Sequence, residues 1–277
     1  MKLLIISTLV LCCSCTATQL VKKEIKQQYE SFPYAKEVIN IDSLADVLHP
    51  LSAREREKTI VPLMLAGNIP ALNLHLKKVN LNFTDSSGKK YKATLFVSPD
   101  YLSIGNTENY MHMPLTPQAA QQIADSLHCI LPTKKMVDLI YENAAIKSEP
   151  NPLTEKRDSM KTFLQHHRII REQLNMKHSR GIIAGTKKDV VQTPGIYTAS
   201  KPNRVAIYGW HRMNGKAIQP LYTGHIDWYV DYSHGIRLIY EKMIVNGKIL
   251  FVKDVLNDPV LSGIICDEVI CRYCRYN

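Results

Sequence analysis

The stretch LNLHLKKVNLNFTDSSGKKYKATLFVS, residues 72–98, is the part of the chain that decides the fold class. Apolar and polar residues alternate along its first half, which is the period-2 pattern of a strand with one buried face. Asp85 and Gly88 then provide residues that favour a turn, and the remainder predicts a return strand. The sequence YLSIG at residues 101–105 predicts a third strand, so we expect a β hairpin or meander over residues 72–105.

The pattern becomes helical in the middle of the chain. Thr116 and Pro117 have the residue types of a helix N-cap and of a first helical position. A second helix is predicted to follow Thr133, and a third is predicted over residues 154–176. We therefore expect a helical insert over residues 116–176.

The C-terminal part, residues 180–277, returns to strands that are rich in β-branched and aromatic residues. Asn246 followed by Gly247 is the strongest hairpin-turn signal of the chain. A short helix is predicted over residues 251–265, ahead of a cysteine-rich tail. Together these patterns predict a single α+β domain over residues 16–277, with a mostly antiparallel sheet and the helical insert in its middle.

The N-terminus has the pattern of a secretory signal, because Lys2 is its only charge and precedes an apolar run too short to span a bilayer. Cys15 follows a small residue, which resembles the end of a bacterial lipoprotein signal whose cysteine receives the lipid. Cys13 is the alternative anchor, and ordinary secretion is the alternative route. We expect residues 1–15 to be such a signal and residues 16–31 to be a tether that leads into a helix. The expected location is the bacterial cell envelope, with the protein exported and anchored to the membrane by lipid.

The chain is basic, with 35 Lys and Arg against 25 Asp and Glu and a formal net charge of +10 at pH 7. A basic exterior indicates either an anionic partner, such as an envelope polymer, or a well-solvated surface. The basic residues are scattered rather than clustered, so we expect no nucleic-acid partner.

The cysteines beyond the signal are Cys129, Cys266, Cys271 and Cys274. Disulfides are the default outside the cytosol. Free thiols and a zinc site stay open, although no second ligand pair at a typical zinc spacing is evident. Cys129 precedes a predicted helix and later histidines, so it is also a candidate nucleophile.

The stretch richest in chemistry is YGWHRMNGKAIQPLYTGHIDWYVDYSHGIRL, residues 208–238. It holds three histidines and both tryptophans, with carboxylates and glycines between them, which are the residue types of a polar pocket in an apolar wall. The candidate catalytic residues are His211, His225, Asp231 and His234. The candidate substrate-binding residues are Lys188, Asp189, Trp210, Trp228, Tyr232 and Arg237.

Three interpretations of this stretch stay open. In the first, His225, Asp231 and His234 bind a zinc ion that activates water. Because residues three apart face opposite sides of a straight strand, this site requires a bend between Asp231 and His234. In the second, a histidine acts as a base without a metal and Asp231 orients its imidazole. In the third, these polar groups pair with one another inside an aromatic core.

Several motifs resemble those of an uncharacterised family of exported bacterial proteins. They are LPTKKMVD at 131–138, KKDVV at 187–191, YGWH at 208–211, IQPLY at 218–222 and VDYSHGIRL at 230–238. The resemblance runs from about Tyr101 onward and implies export, but it names no reaction because no activity is established for that family. Thr186 stands where the family often has a histidine, so a role for that histidine does not carry over.

The export signal and the histidine-rich stretch together predict an envelope-anchored hydrolase that acts on a cell-envelope substrate, for example one derived from peptidoglycan. His225 and His234 are the expected bases or metal ligands. Asp231 is expected to orient them, and His211 is expected to act as a second base. A zinc ion is the cofactor implied by the metal interpretation.

The expected partners are the bacterial membrane, through the lipid, and an envelope polymer or peptide. Lys188 or Arg237 is expected to hold a substrate carboxylate or an oxyanion. The alternative function is a non-enzymatic lipoprotein that binds a glycan or peptide against Trp210, Trp228 and Tyr232.

Overall fold

The computed structural model describes residues 2–35, 39–175, 181–197 and 202–277, with the backbone alone for residues 2–15 and 175. The fold is α+β, with a mostly antiparallel, curled sheet system, as predicted. The helices are α1 (Lys2–Glu30), α2 (Ile41–Leu48), α3 (Ala53–Leu65), α4 (Ala71–Leu74), α5 (Pro117–Ser126), α6 (Lys134–Glu142), α7 (Met160–Asn175) and α8 (Val252–Asn257). The strands are β1 (Lys77–Thr84), β2 (Lys90–Val97), β3 (Ser103–Gly105), β4 (Tyr110–His112), β5 (Cys129–Ile130), β6 (Ile146–Lys147), β7 (Ile183–Ala184), β8 (Lys188–Val191), β9 (Arg204–His211), β10 (Ala217–Ile226), β11 (His234–Gly235), β12 (Ile239–Tyr240), β13 (Lys242–Val245) and β14 (Lys248–Phe251).

The predicted hairpin is β1 and β2, which pair in antiparallel register over their full length. The first strand begins at Lys77 and not at Leu72, so that part of the prediction is wrong. The residues before it form the single turn α4, in which the buried Asn73 amide donates to the carbonyl of Tyr101 and accepts from the backbone N–H of Ser103. These two hydrogen bonds satisfy backbone groups that an extended strand would have left to another partner.

Strand β2 is the centre of the larger sheet, whose order is β14-β13-β2-β12-β5 with β1 also paired to β2. The turn between β13 and β14 is the predicted Asn246-Gly247 turn, and both residues have the positive φ angles that a type I′ hairpin requires. The strand predicted at residues 101–105 is β3, but it pairs with β4 and not with the β1–β2 hairpin.

The second sheet has the order β10-β9-β8-β11 and carries most of the candidate site residues. Strands β8, β9 and β10 are antiparallel neighbours, whereas β11 runs parallel to β8. Lys188 of β8 is opposite Gly209 of β9 on one side and His234 of β11 on the other. These three residues therefore form one row across the sheet.

The helices of the middle segment begin where the sequence predicts for α5 and α6. The hydroxyl of Thr116 accepts from the backbone N–H of Ala119, and that of Thr133 accepts from Met136. Helix α7 begins at Met160 and not at residue 154. Strand β5 lies between α5 and α6 in the sequence and pairs with β12, so the helical insert also contributes to the larger sheet.

Helix α1 packs on the body where a tether is expected. Its side chains at Ala17, Val21, Ile25 and Tyr29 are buried, and their spacing of four places them on one face of the helix. The Tyr29 hydroxyl and the Gln28 amide both donate to the carbonyl of Leu127. No helix of the described residues is both long and apolar enough to cross a membrane.

The C-terminal tail contains a disulfide between Cys266 and Cys271. Cys129 and Cys274 are buried free thiols. Burial raises the pKa of Cys129 to about 12, and its sulfur lies 3.4 Å from the Tyr29 hydroxyl. A thiol held protonated in this way is a poor nucleophile, so Cys129 is a core residue and not the predicted catalytic cysteine.

Arg237, expected to hold a substrate, is a buried clamp between parts of the fold. Its guanidinium donates to the carbonyls of Ser98 at 2.9 Å and Ile183 at 2.8 Å, and lies 4.2 Å from the ring centroid of Tyr101. Only 1% of the residue is exposed. Its hydrogen-bonding capacity is therefore directed at the protein itself.

We expect Arg237→Lys to lower the free energy of unfolding by about 3 kcal/mol, because two buried charge-assisted hydrogen bonds would lose their planar fork. Arg275→Lys is the matched control, since Arg275 pairs with Asp125 at the surface and is expected to change stability by less than about 1 kcal/mol. Urea unfolding followed by circular dichroism measures both. Equal losses in the two variants would contradict the clamp role.

Candidate functional site

The candidate residues and their partners form two separate clusters of polar side chains. One cluster surrounds Asp138 and contains Lys134, Tyr141, Tyr208 and His211; we call it the Asp138 site. The other surrounds Asp231 and is called the Asp231 site. Its other members are Arg157, Lys188, His225, Tyr229 and His234.

The Asp138 carboxylate accepts three hydrogen bonds. Oδ1 lies 2.8 Å from His211 Nε2 and 2.7 Å from the Tyr208 hydroxyl, and Oδ2 accepts from Lys134 Nζ at 3.0 Å. Partial burial alone would raise the pKa of Asp138, but the hydrogen bonds from His211, Tyr208 and Lys134 outweigh it and hold the pKa below its usual value. The carboxylate is therefore ionised at neutral pH.

The backbone between Tyr208 and His211 makes this convergence possible. Residues three apart on a regular strand point to opposite faces, yet both side chains reach the same oxygen of Asp138. Gly209 and Trp210 have φ angles of +100° and +55°, which break the alternation. A tryptophan in the left-handed region is unfavourable by about 1–2 kcal/mol, so the surrounding packing must hold it there.

The Asp138 site opens into a cavity of about 550 Å³, which Asp138, Tyr141, Tyr208 and His211 line together with other residues. The Tyr141 ring stacks on the His211 imidazole with centroids 4.5 Å apart and planes at 20°. This stacking and the bond to Asp138 fix the orientation of the imidazole. Because an ionised carboxylate only accepts, the neutral tautomer that fits this contact has its hydrogen on Nε2 and its lone pair on Nδ1.

The Asp231 carboxylate is also saturated by donors. It accepts from Arg157 Nη2 at 2.7 Å, from the Tyr229 hydroxyl at 3.1 Å, and from both the backbone N–H and the hydroxyl of Ser233, at 2.9 and 2.5 Å. Burial opposes the ionisation of Asp231, but the nearby His234 imidazole, the hydrogen bond from Ser233 and the positive charges of Lys188 and Arg157 lower its pKa.

His234 lies beside Asp231 because the chain turns between them. The backbone N–H of His234 donates to the carbonyl of Asp231, which is the bend that a shared site requires. The imidazole Nε2 is 4.0 Å from Asp231 Oδ1, the residue is fully buried, and neither ring nitrogen has a hydrogen-bond partner in the described part of the chain. Burial lowers the pKa of His234 to about 4, so the ring is neutral at pH 7.

The predicted zinc ligands His225, Asp231 and His234 do not assemble as a metal site. Among the side chains that the structure describes, in residues 16–35, 39–174, 181–197 and 202–277, no three of His, Cys, Asp or Glu are arranged to hold a metal ion. Asp231 is committed to Arg157, Tyr229 and Ser233. The imidazole of His225 instead packs against the Tyr229 ring, with centroids 4.5 Å apart.

The aromatic residues expected to form a binding platform do not share one surface, because two are buried and one is exposed. Trp210 and Tyr232 are 2% and 1% exposed, so they offer no surface to a glycan. Trp228 is 49% exposed and lines a different cavity, of about 640 Å³, with Arg54, Arg56 and Tyr229.

The two candidates on β8, the basic Lys188 and the acidic Asp189, are interior residues. The Lys188 ammonium lies 5.5 Å from the centroid of the Trp210 ring. Asp189 is buried and accepts from the Tyr101 hydroxyl at 2.8 Å, and burial raises its pKa to about 6. Asp189 therefore helps to hold the core and is not placed to contact a substrate.

Sequence reasoning missed Asp138, Arg157 and Lys187. The sequence did contain a hint for Asp138. It is an acidic residue in a predicted amphipathic helix, and Tyr141, three positions later, lies on the same side of that helix. Lys187 is fully buried, donates to the carbonyl of Tyr232 at 2.6 Å, and has a pKa that burial lowers to about 7. Nothing in the loop around Arg157 pointed to Asp231.

Compared with protein-family models, with curated proteins and with solved structures, the chain has no match. The resemblance to exported bacterial proteins therefore stays a prediction that its motifs alone carry.

We expect Gly209→Ala to separate His211 from Asp138. A Cβ at this position would meet Val137 Cγ1 at 3.1 Å and His211 Cε1 at 3.4 Å, in addition to the strain of a positive φ. The measurement is the ¹H–¹⁵N NMR signal of the His211 Nε2–H, which the bond to Asp138 protects in the wild type.

Gly215→Ala is the matched control, since Gly215 also has a positive φ but no atom within 4 Å of an added Cβ. Both variants should lose about 1 kcal/mol of stability from backbone strain, and only Gly209→Ala should lose the imidazole signal. Retention of that signal in Gly209→Ala would show that the left-handed backbone is not what positions His211.

Proposed function

We propose that the protein is a hydrolase that acts on a cell-envelope substrate through His211 and Asp138. The observation that carries this proposal is the 2.8 Å contact between His211 Nε2 and an ionised Asp138, in the wall of a cavity of about 550 Å³. A histidine oriented by a carboxylate is the arrangement that many hydrolases use to move a proton.

In the proposed reaction, His211 Nδ1 removes a proton from water while the water oxygen attacks the carbonyl carbon of an ester or amide. Asp138 stabilises the imidazolium that forms, and the imidazolium then returns the proton to the leaving alcohol or amine. Tyr208 and Lys134 keep the carboxylate ionised and in place. The polar groups at the cavity wall, among them Glu142 and Asn214, suit a polar substrate such as a peptidoglycan fragment.

This proposal moves the catalytic role within the predicted set. His211, expected as a second base, becomes the base, and Asp138 replaces Asp231 as the orienting group. His234 is fully buried and has a low pKa, so it is a poor base at neutral pH.

A binding function without catalysis is the second candidate, and the exposed Trp228 favours it. Its ring lines a cavity of about 640 Å³ with Arg54 and Arg56, which suits the apolar face of a sugar that carries an anionic group. A Trp228→Ala variant that loses glycan binding, in a protein that cleaves no envelope fragment, would favour this candidate over hydrolysis.

The location of the protein is part of the proposal and rests on the sequence. A lipid on Cys15 would hold the body at a membrane of the bacterial envelope, where envelope polymers and peptides are within reach. The structure describes only the backbone of Cys15.

We expect His211→Gln to reduce hydrolysis about a thousandfold, because glutamine keeps a donor for Asp138 but cannot accept the proton from water. The assay is mass spectrometry of peptidoglycan fragments and of ester- and amide-linked envelope fractions incubated with each variant. The melting temperature should stay within about 5 °C of the wild type, so that lost activity is not lost folding.

His128→Gln is the matched control, because His128 also faces a carboxylate, that of Glu241 at 3.4 Å, but on the surface. It should keep wild-type activity. A wild type that cleaves none of the fractions, or a His211→Gln variant as active as the control, would refute the proposed function.

We expect Cys15→Ser to move the protein from the membrane fraction to the soluble fraction of the producing cells. Removal of the lipid site leaves only the packed body, and fractionation with immunodetection measures the change. Unchanged membrane association would move the anchor to Cys13 or remove a lipid from the account.

A further inference from the structure

Two buried lysines and one partly exposed arginine lie around the buried carboxylate of the Asp231 site. Lys187, Lys188 and Arg157 lie around the single carboxylate of Asp231, and the pKa of each lysine is lowered by burial and partly restored by Asp231. Asp100, the other carboxylate that acts on Lys187, is paired with His112 at 3.0 Å. Buried charge without a counter-ion is unfavourable, so this cluster favours an additional anion.

Several buried polar atoms in and next to this cluster have no hydrogen-bond partner in the described part of the chain. The ring nitrogens of His234, the Nε2 of His166 and the indole Nε1 of Trp210 are buried and form no hydrogen bond in the described part of the chain. The residues themselves are at most 2% exposed. Buried polar atoms are almost always satisfied, so such a group of unpartnered atoms indicates a bound water or ligand.

The sheet places these groups next to one another. Lys188 is opposite His234 in the parallel pairing of β8 and β11, and its ammonium lies 5.5 Å from the Trp210 ring. The residue on the other side of the row is Gly209, which contributes no side chain of its own. The charge of Lys188 also acts on the pKa of His225 and of His234, which burial lowers first.

We propose that the Asp231 site binds a small oxyanion, a carboxylate or a phosphate group, between Lys188, Arg157 and the unpartnered imidazole of His234. The charge of Asp231 opposes an anion, but both of its oxygens face their own donors, so Lys188 and the His234 ring are not engaged by hydrogen bonds from it. The oxyanion takes the hydrogen bonds that the buried donors lack. The site is separate from His211 and Asp138 and does not depend on the proposed hydrolysis.

Arg157 is the member of the site nearest to solvent by exposure, and we take its side of the site as the entrance for an anion. The side chain of Arg157 is 41% exposed, and His225 and Tyr229 beside it are half-buried. Lys188 is 8% exposed, so an anion at its ammonium would be largely removed from water. Charge-assisted hydrogen bonds are strongest in such surroundings.

The test uses Trp210 as the reporter. The chain has two tryptophans, so Trp228→Phe leaves Trp210 as the only one. The purified full chain with this change is titrated with sodium phosphate and, separately, with sodium acetate, while chloride keeps the ionic strength constant. We expect a saturable change of Trp210 fluorescence and a rise in melting temperature with at least one anion. Phosphate alone indicates a phosphate-bearing ligand, and acetate alone indicates a carboxylate-bearing one.

Lys188→Met in the same background should weaken binding at least about tenfold, since it removes one charge-assisted bond. Lys216→Met removes an exposed lysine and should leave binding unchanged. If Lys188→Met does not fold, Arg157→Gln replaces it, because that side chain is partly exposed. A response that never saturates, or equal affinities in the Lys188→Met or Arg157→Gln variant and in Lys216→Met, would overturn the proposal and leave buried water as the occupant.

Discussion

Two consecutive residues with positive φ angles, Gly209 and Trp210, determine where the polar side chains of β9 lie. Because of them, His211 and Tyr208 both reach the same carboxylate on α6. The Trp210 indole instead contacts the His166 ring, with centroids 5.9 Å apart. On a regular strand, Tyr208 and Trp210 would lie on one face and His211 on the other, so Tyr208 and His211 could not both contact Asp138. The cost of a left-handed tryptophan is met by packing on both sides of the sheet, and strain of this kind is often found at functional sites.

The Asp138 site is also tied to the C-terminal tail. Lys134 Nζ bridges Asp138 Oδ2 at 3.0 Å and Asp267 Oδ2 at 2.8 Å, and Asp267 directly follows Cys266 of the disulfide. Thr133 at the start of the same helix donates to the carbonyl of Ile265. The covalent loop at the end of the chain thus supports the helix that presents the carboxylate.

Sequence patterns predicted the parts of this fold that depend on local signals. The Asn246-Gly247 turn and the Thr116 and Thr133 caps are confirmed, because each is decided by the conformational preference or hydrogen bonding of one or two residues. The start of β1 was misplaced because the buried Asn73 bonds to residues 28 and 30 positions later in the chain, which no local pattern contains. The partner of His211 was missed for the same reason, since Asp138 is 73 positions away. Composition marked residues 208–238 as rich in polar and aromatic side chains, but which imidazole meets which carboxylate depends on the backbone break at Gly209 and on the approach of α6.

Helix α1 has a consequence for how the protein would work at a surface. Among the side chains of this helix that the structure describes, Ala17 is the first buried one, so a lipid on Cys15 would be only two positions from the packed body. At about 3.5 Å per residue, that is less than one nanometre of slack. A protein anchored so closely could not move far from the membrane surface. Its body would stand at a constant height with one face always toward the bilayer, and it would meet only those molecules that come within that layer.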